Sequence, residues 1–360
     1  MPSSISNSSQ RAPSGPWART WVLAMFLAAV VLGLWELHLR THGHQPSVTD
    51  DMLLWALHRR RVYPDAHKQT VVVLGASRTS YGFVPKVFEK HCPACRVVDL
   101  ALPGGGSPVT VLRDLAEDPQ FRGVVLVDLF PSYALRGERE SQQAYVTYYH
   151  GLAEEQWPWD EWFDRHLSTY FQSHLAMLCS DLRLDRVLTE WLRGRSLRPR
   201  HVITLPDRSC AADFSKHANL AGHRAARVRE AREAFRRYMD MAVTPEQWLE
   251  QAMELEPMVQ QIQQRGGRVV FIRYPTSGEP QTLWQKLYPK DQYWDRFARA
   301  TSAETIHFLD VPTLRDFECA DFSHLDHDDA ARFTEALADE LCRRGIIRRS
   351  VPPDAAYHEP

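Results

Sequence analysis

The longest apolar run lies near the N-terminus. From Thr20 to Trp35 (TWVLAMFLAAVVLGLW) no side chain is charged, and Glu36, Leu37, His38 and Leu39 follow before Arg40. A helix rises about 1.5 Å per residue, so the stretch from Thr20 to Leu39 spans ~30 Å, the thickness of a bilayer's hydrocarbon core. The pattern predicts one transmembrane helix over 20–39, with Trp35, Glu36 and His38 at the interface. A signal peptide would end in a small-x-small cleavage site, and here Trp-Glu-Leu-His-Leu-Arg follows instead. A buried core helix would carry polar positions at helical spacing. Arg11 and Arg19 precede the run without acids, whereas Asp50 and Asp51 follow Arg40. The positive-inside rule puts the N-terminus in the cytoplasm and the body outside the cytoplasmic (inner) membrane. Residues 1–19, rich in Ser, Pro and Arg, read as a disordered cytoplasmic tail, and 40–69 as a juxtamembrane linker.

Beyond that linker the pattern changes. Short apolar runs recur at 71–74, 96–100, 124–128, 269–273 and 306–310. Each has the length and β-branched content of a strand buried on both faces. Helical patterns separate them at 108–117, 246–265, 291–302 and 327–343. Alternating strands and helices imply right-handed crossovers and a parallel sheet. The predicted fold class is α/β: one flavodoxin-like, three-layer domain over 70–345. The stretch 140–245 shows no convincing strand except near 201–205 and reads as a mainly helical insertion. Residues 346–360 read as a C-terminal tail.

Composition narrows the classes. The chain has 360 residues, 44% hydrophobic and 24% charged, with a formal net charge of −2. That near-neutral balance argues against a nucleic-acid binder. The mean hydropathy of −0.40 excludes a multi-spanning membrane protein but allows one span.

In open parallel sheets ligands bind beyond the carboxyl ends of the strands, so candidate chemistry is sought there. After the first run stands Gly75-Ala76-Ser77-Arg78-Thr79. Small residues beside a serine at a strand-to-helix turn expose its hydroxyl, and the N–H groups there can receive an oxyanion. The same pattern also starts ordinary turns in which Ser caps a helix. After the second run, Leu102-Pro103-Gly104-Gly105-Gly106-Ser107-Pro108 lets backbone approach a ligand, or simply leads into the next helix. Arg273, closing the fourth run, is placed to bind a carboxylate or to form an ion pair at the sheet edge. Near the C-terminus stands Asp321-Phe322-Ser323-His324-Leu325-Asp326. An Asp three residues before a His can fix its tautomer and leave the other nitrogen to take a proton. The alternative is an acidic cluster that caps the last helix through Asp326, Asp328 and Asp329.

Taken together, Gly75–Thr79, Ala101–Gly105 and Asp321–Leu325 resemble the blocks of the SGNH-type (GDSL-like) hydrolases, over roughly 70–345. A single N-terminal anchor ahead of such a domain resembles envelope proteins that acylate or deacylate cell-surface polysaccharides. The resemblance implies Ser77 as nucleophile, His324 as base and Asp321 as its orienting acid. It implies oxyanion and substrate contacts at Gly104 and Gly105, with Arg78 and Arg273 nearby. Two positions depart from it. Ala76 stands where the family has Asp, and Val127-Asp128-Leu129-Phe130-Pro131-Ser132 lacks the third block's Asn. Arg78 is a possible substitute donor.

Six cysteines (Cys92, Cys95, Cys179, Cys210, Cys319 and Cys342) allow disulfides outside the cytoplasm. Cys92-Pro93-Ala94-Cys95 precedes a strand rather than opening a helix, which suits a small structural disulfide or plain thiols better than a redox pair. No His-Glu-x-x-His helix occurs, so neither metal nor cofactor is expected. Trp157, Trp159 and Trp162 suit a sugar-stacking platform or an amphipathic helix at a membrane-proximal surface. The stretch 222–237 reads as a solvated Arg/Glu helix.

The expected function is a membrane-anchored, extracytoplasmic serine O-acyl esterase or acyltransferase. Its expected partners are the membrane, an acylated polysaccharide or small acyl ester, and a membrane acyl-donor protein; nucleic acid is not among them. The alternative is a non-catalytic scaffold or carbohydrate-binding component of a polysaccharide assembly complex.

Overall fold

The computed structural model describes residues 17–63, 67–154, 159–182, 184–194, 197–241 and 243–349. The tail 1–16, Trp157 and residues 350–360 therefore lie outside the described residues.

Among the described residues seven strands are present: β1 (Gln69–Leu74), β2 (Cys95–Asp99), β3 (Val124–Asp128), β4 (Val202–Thr204), β5 (Cys210–Ala212), β6 (Arg268–Arg273) and β7 (Glu304–His307). Five form one sheet in the order β2-β1-β3-β6-β7, and every neighbouring pair is parallel. Numbered within that sheet the order is 2-1-3-4-5, the flavodoxin-like order.

Successive side chains alternate between two cores. Val72, Leu74, Val98, Val125, Val127 and Phe271 join one apolar cluster. Val71, Val73, Val97, Leu126, Val270 and Ile272 join another. The first packs against helices Val109–Glu117, Pro245–Met253 and Glu256–Gln264, and the second against the last helix, His327–Arg343. Strands apolar on both sides are thus covered on both sides, as the continuous Val/Ile/Leu runs require.

Three boundaries differ from the pattern reading. The last run leaves the sheet at His307, and Phe308–Asp310 turns into a 3₁₀ helix. The helix expected over 246–265 is two helices, because Pro257 opens the second at its first turn. Ile346 and Ile347 are buried in the second core, so packing continues past 345.

The segment 40–69 is not a loose linker. Its helix Met52–Arg59 buries Trp55 completely and sends Trp55 Nε1–H to Leu100 O at 3.1 Å. Arg59, buried, donates to Asp114 at 2.6 Å and Asp118 at 2.9 Å. The segment is a packed amphipathic helix whose buried arginine pairs with two acids.

The N-terminal helix runs Trp17–Thr41 and is long and apolar enough to cross a membrane. It encloses the expected 20–39 span. Its last turns dock onto the body. The Glu36 carboxylate accepts the N–H groups of Ala176 (2.8 Å) and Met177 (2.9 Å), and Arg40 donates to His174 O at 2.5 Å.

Between β3 and β6 lie helices Gln143–Glu154, Trp159–His174, Leu184–Leu192 and Leu220–Met241, and the antiparallel ribbon β4–β5. Val48 N–H bonds Thr204 O at 2.9 Å, so the chain leaving the N-terminal helix is stitched to the ribbon.

Candidate active site

β1 ends at Leu74, and helix Ser77–Gly82 begins after two intervening residues. Gly75 is required in that turn: a Cβ there would stand 2.0 Å from Thr79 Oγ1 and 3.1 Å from Asp128 Cβ. The turn brings Ser77 to the first helical position, where the N–H has no intrahelical acceptor. The Ser77 hydroxyl does not cap its helix. It lies 2.8 Å from His324 Nε2.

His324 belongs to the turn between β7 and the last helix. Its Nδ1 is 2.8 Å from Asp321 Oδ2, and its backbone N–H donates to Asp321 Oδ1 at 2.7 Å. Ser323 N–H shares Oδ1 at 3.0 Å. Phe322 takes φ +71, sparsely allowed for a residue with a Cβ, and this lets the chain fold back so that 323 and 324 reach the Asp321 carboxylate. Ser277 N–H holds Phe322 O at 3.0 Å. Asp326 then caps helix His327–Arg343, with Asp328 and Asp329 in its first turn. The acidic cluster therefore does both jobs: Asp326 caps, and Asp321 orients the histidine. The Tyr81 ring lies 4.7 Å from that of His324.

Helix Leu220–Met241 adds two groups to the carboxylate. His223 Nε2 stands 3.1 Å and Arg227 Nε 3.3 Å from Asp321 Oδ2. The Arg-rich stretch is thus not only a solvated face: Arg227 pairs with Glu230 outward and with Asp321 inward. Residues 223 and 227 are four apart, one helix face, and that spacing was the available signal.

Burial alone would raise the Asp321 carboxyl. The hydrogen bond and charge of His324 and the two backbone N–H groups overcome this and hold it well below the usual carboxylate range. Burial pushes His324 below the ordinary imidazole value, and Arg227 and Arg78 push the same way against Asp321. The result is a neutral imidazole oriented by an ionised carboxylate, in contact with a serine hydroxyl. Such a set can take the serine's proton as Oγ attacks an electrophile.

The other expected residues are placed less simply. Gly104 and Gly106 have positive φ, +76 and +69, so the loop needs glycine at both. The Gly105 N–H bonds Leu102 O at 2.8 Å. Arg78 stands beside the same crevice. Its guanidinium lies 4.0 Å from the Phe130 ring centre and 3.9 Å from the buried Asp128 carboxylate. Arg273 is buried rather than open to the crevice, donating to Tyr274 O at 2.5 Å and lying 4.4 Å from the Phe130 ring centre. Burial and the nearby Arg78 charge bring it down to about 9. Asp128, at the end of β3, is raised by burial against the charges of Arg78 and Arg273.

The pattern reading did not reach Gln142. Buried, it donates Nε2–H to Gly75 O at 3.1 Å and to Gly106 O at 3.4 Å, and so ties the serine turn to the glycine loop. Nothing in the local sequence marks it.

A cavity of about 360 Å³ shares two walls with this centre, Tyr81 and Leu102. Its remaining lining includes Ser47, Asp50, Ser180, Arg200 and Thr204, a largely polar set.

No protein-family model and no curated protein matches the chain. Among solved structures, the crystal structure of TesA is similar over 76% of this chain and 98% of that one, at 14% identity and a TM-score of 0.32. A superposition that loose adds nothing to the reading of the site.

The cysteines form no disulfide in the structure. Cys92 and Cys95 are both buried, and burial raises their thiols to about 12 and about 11. A redox pair needs the opposite, an exposed low-pKa thiol. Asp213, Asp326 and His327 offer three ligand atoms within 4.8 Å of one another, but Asp326 is already engaged as a helix cap and by Phe214 N–H at 3.0 Å.

Proposed function

We propose that the chain is a membrane-anchored, SGNH-like serine O-acyl esterase or acyltransferase that works outside the cytoplasmic membrane on envelope or exported polysaccharide. One observation carries the reading: Ser77 Oγ, His324 and Asp321 stand in line with 2.8 Å at each contact. Ser77 Oγ attacks the acyl carbonyl as its proton passes to His324 Nε2. The tetrahedral oxyanion falls to backbone N–H groups at Ser77 and Gly104. Collapse breaks the ester bond, and the leaving alcohol takes the proton from His324. Water or a sugar hydroxyl then attacks the acyl-serine as its proton passes to His324, and the acyl–Oγ bond breaks as His324 returns that proton to Ser77 Oγ. The polar cavity beside Tyr81 supports a hydroxyl-rich substrate. The N-terminal helix supports the anchor, and the charge pattern around it supports the outward orientation.

A second reading, a non-catalytic carbohydrate-binding component on a related fold, is favoured by Asp128 and by the engaged Gly105 N–H. Fluorophosphonate labelling of the full chain in detergent, with peptide mapping, separates the two. An adduct on Ser77, absent in Ser77→Ala and in His324→Ala, is the expected result. No adduct on folded protein overturns the serine-acyl reading in favour of the second.

A further inference from the structure

We propose that the outward faces of helices Trp159–His174 and Leu184–Leu192 lie in the membrane interface and seat the body on the bilayer beside the N-terminal helix. This rests on the reading of that helix as a membrane span.

Trp159, Phe163, Leu167, Tyr170 and Phe171 recur at helical spacing along one side and are 79%, 62%, 44%, 59% and 43% exposed. Soluble surfaces rarely gather so many large apolar side chains in one stripe. The opposite side is pinned to the body. Arg165, buried, pairs with Asp51 at 3.1 Å and donates to Thr49 O, and Gln172 accepts Thr49 N–H at 2.8 Å. The helix therefore cannot roll its apolar side inward.

Its height relative to a bilayer follows from its C-terminal end. His174 O is held by Arg40, and the next N–H groups, of Ala176 and Met177, by Glu36. Glu36 and Arg40 belong to the last turns of helix Trp17–Thr41, where a spanning segment leaves the hydrocarbon. The second helix exposes Leu188, Trp191 and Leu192 at 48%, 72% and 77%. Leu188 and Trp191 share a groove of about 530 Å³ with Trp35, His38 and His42, at that same level. Aromatic and leucine side chains on a polar-backed helix are what the boundary between headgroups and acyl chains accepts. The occupant is therefore the lipid interface, continuous with the span.

The test uses the full chain in lipid nanodiscs. Single cysteines replace Leu27, Phe163, Leu188 and Glu233 in a Cys342→Ala background and carry an NBD fluorophore. Parallel nanodiscs contain lipid with a nitroxide either near the headgroup or deep in the acyl chain. The label at 27 is expected to lose most of its emission to the deep nitroxide, the labels at 163 and 188 to lose most of theirs to the shallow one, and the label at 233 to keep its emission with both. Quenching at 27 with 163 and 188 behaving like 233 overturns the proposal and leaves the anchor standing. Labels at 163 and 188 that escape both the shallow nitroxide and aqueous iodide show a protein partner or a second copy, and also overturn it. An unquenched label at 27 overturns the span itself, and this proposal with it.

Discussion

Asp321 and His324 are joined twice: one carboxylate oxygen accepts the histidine's backbone N–H at 2.7 Å, and the other faces its Nδ1 at 2.8 Å. The first bond shapes the turn, and the second orients the ring. A single short segment thus builds its own base, with the imidazole's free nitrogen pointing at Ser77. Each contact has a separate consequence.

Asp321→Asn keeps an oxygen for the two backbone N–H groups, so the turn should survive, while the melting temperature at neutral pH should fall because Arg227 loses its buried anionic partner. The amide cannot favour the imidazole tautomer that leaves Nε2 free. Labelling of Ser77 by a fluorophosphonate should slow by up to about 10⁴. An unchanged labelling rate would remove Asp321 from the mechanism.

His324 titrates below the ordinary imidazole value, because burial and the charges of Arg227 and Arg78 disfavour its protonated form. The reactive species is the neutral base, so labelling should rise with pH and reach half its plateau below about 6.5. Arg227→Gln removes one of those charges and should move that midpoint upward. A rate profile over pH 4 to 9 for both proteins reads the sign directly.

Gly75→Ala places a methyl 2.0 Å from Thr79 Oγ1, in a turn with no room to yield. A cost of about 1–3 kcal/mol is expected for such overpacking. Thermal unfolding should show a clear drop in Tm together with lost Ser77 labelling. A native Tm would mean that the turn relaxes.

Asp99 is fully buried, and burial raises its carboxyl to about 7 despite the charge of Arg208. Its folded value lies above the unfolded one of about 3.9, so the fold favours the protonated form. That contribution is complete below about pH 4 and is lost as pH rises through 7. Asp99→Asn, permanently neutral and still able to accept Ala101 N–H, should melt higher than the native protein above pH 7. The two should match at the acidic end.

Five cysteines are buried and Cys342 is half-buried, its sulfur 3.6 Å from that of Cys92. Under native conditions Ellman's reagent should find Cys342 first and the rest only after denaturation. Fast reaction at Cys95 would reopen the thiol reading.

Much of the architecture was legible because its signals are short-range. Val71–Leu74 and Val124–Asp128 are too short and too apolar to be anything but strands covered on both sides. Asp321 and His324 lie within one turn, so their relation is written in their spacing. Pro257 is a helix opener by its chemistry, and it divides the 246–265 pattern into two helices. Trp55 and Arg59 lie in the segment whose pattern predicts a linker; what packs them is distant in sequence, Leu100 O for the indole and Asp114 with Asp118 for the arginine.

The order of residues determines which segments become strands and helices, where each strand ends, and that Asp321 can hold His324, since backbone sterics and side-chain spacing act within a few residues. It does not determine which strand ends meet. Ser77 and His324 are 247 positions apart, and their contact exists because the parallel sheet turns both carboxyl-end loops to one edge. Nor does it say which charges go inside. His223 and Arg227 face Asp321, and Arg78 and Arg273 surround Asp128, because packing excludes water there and a buried charge then needs a partner that only the folded chain can bring close.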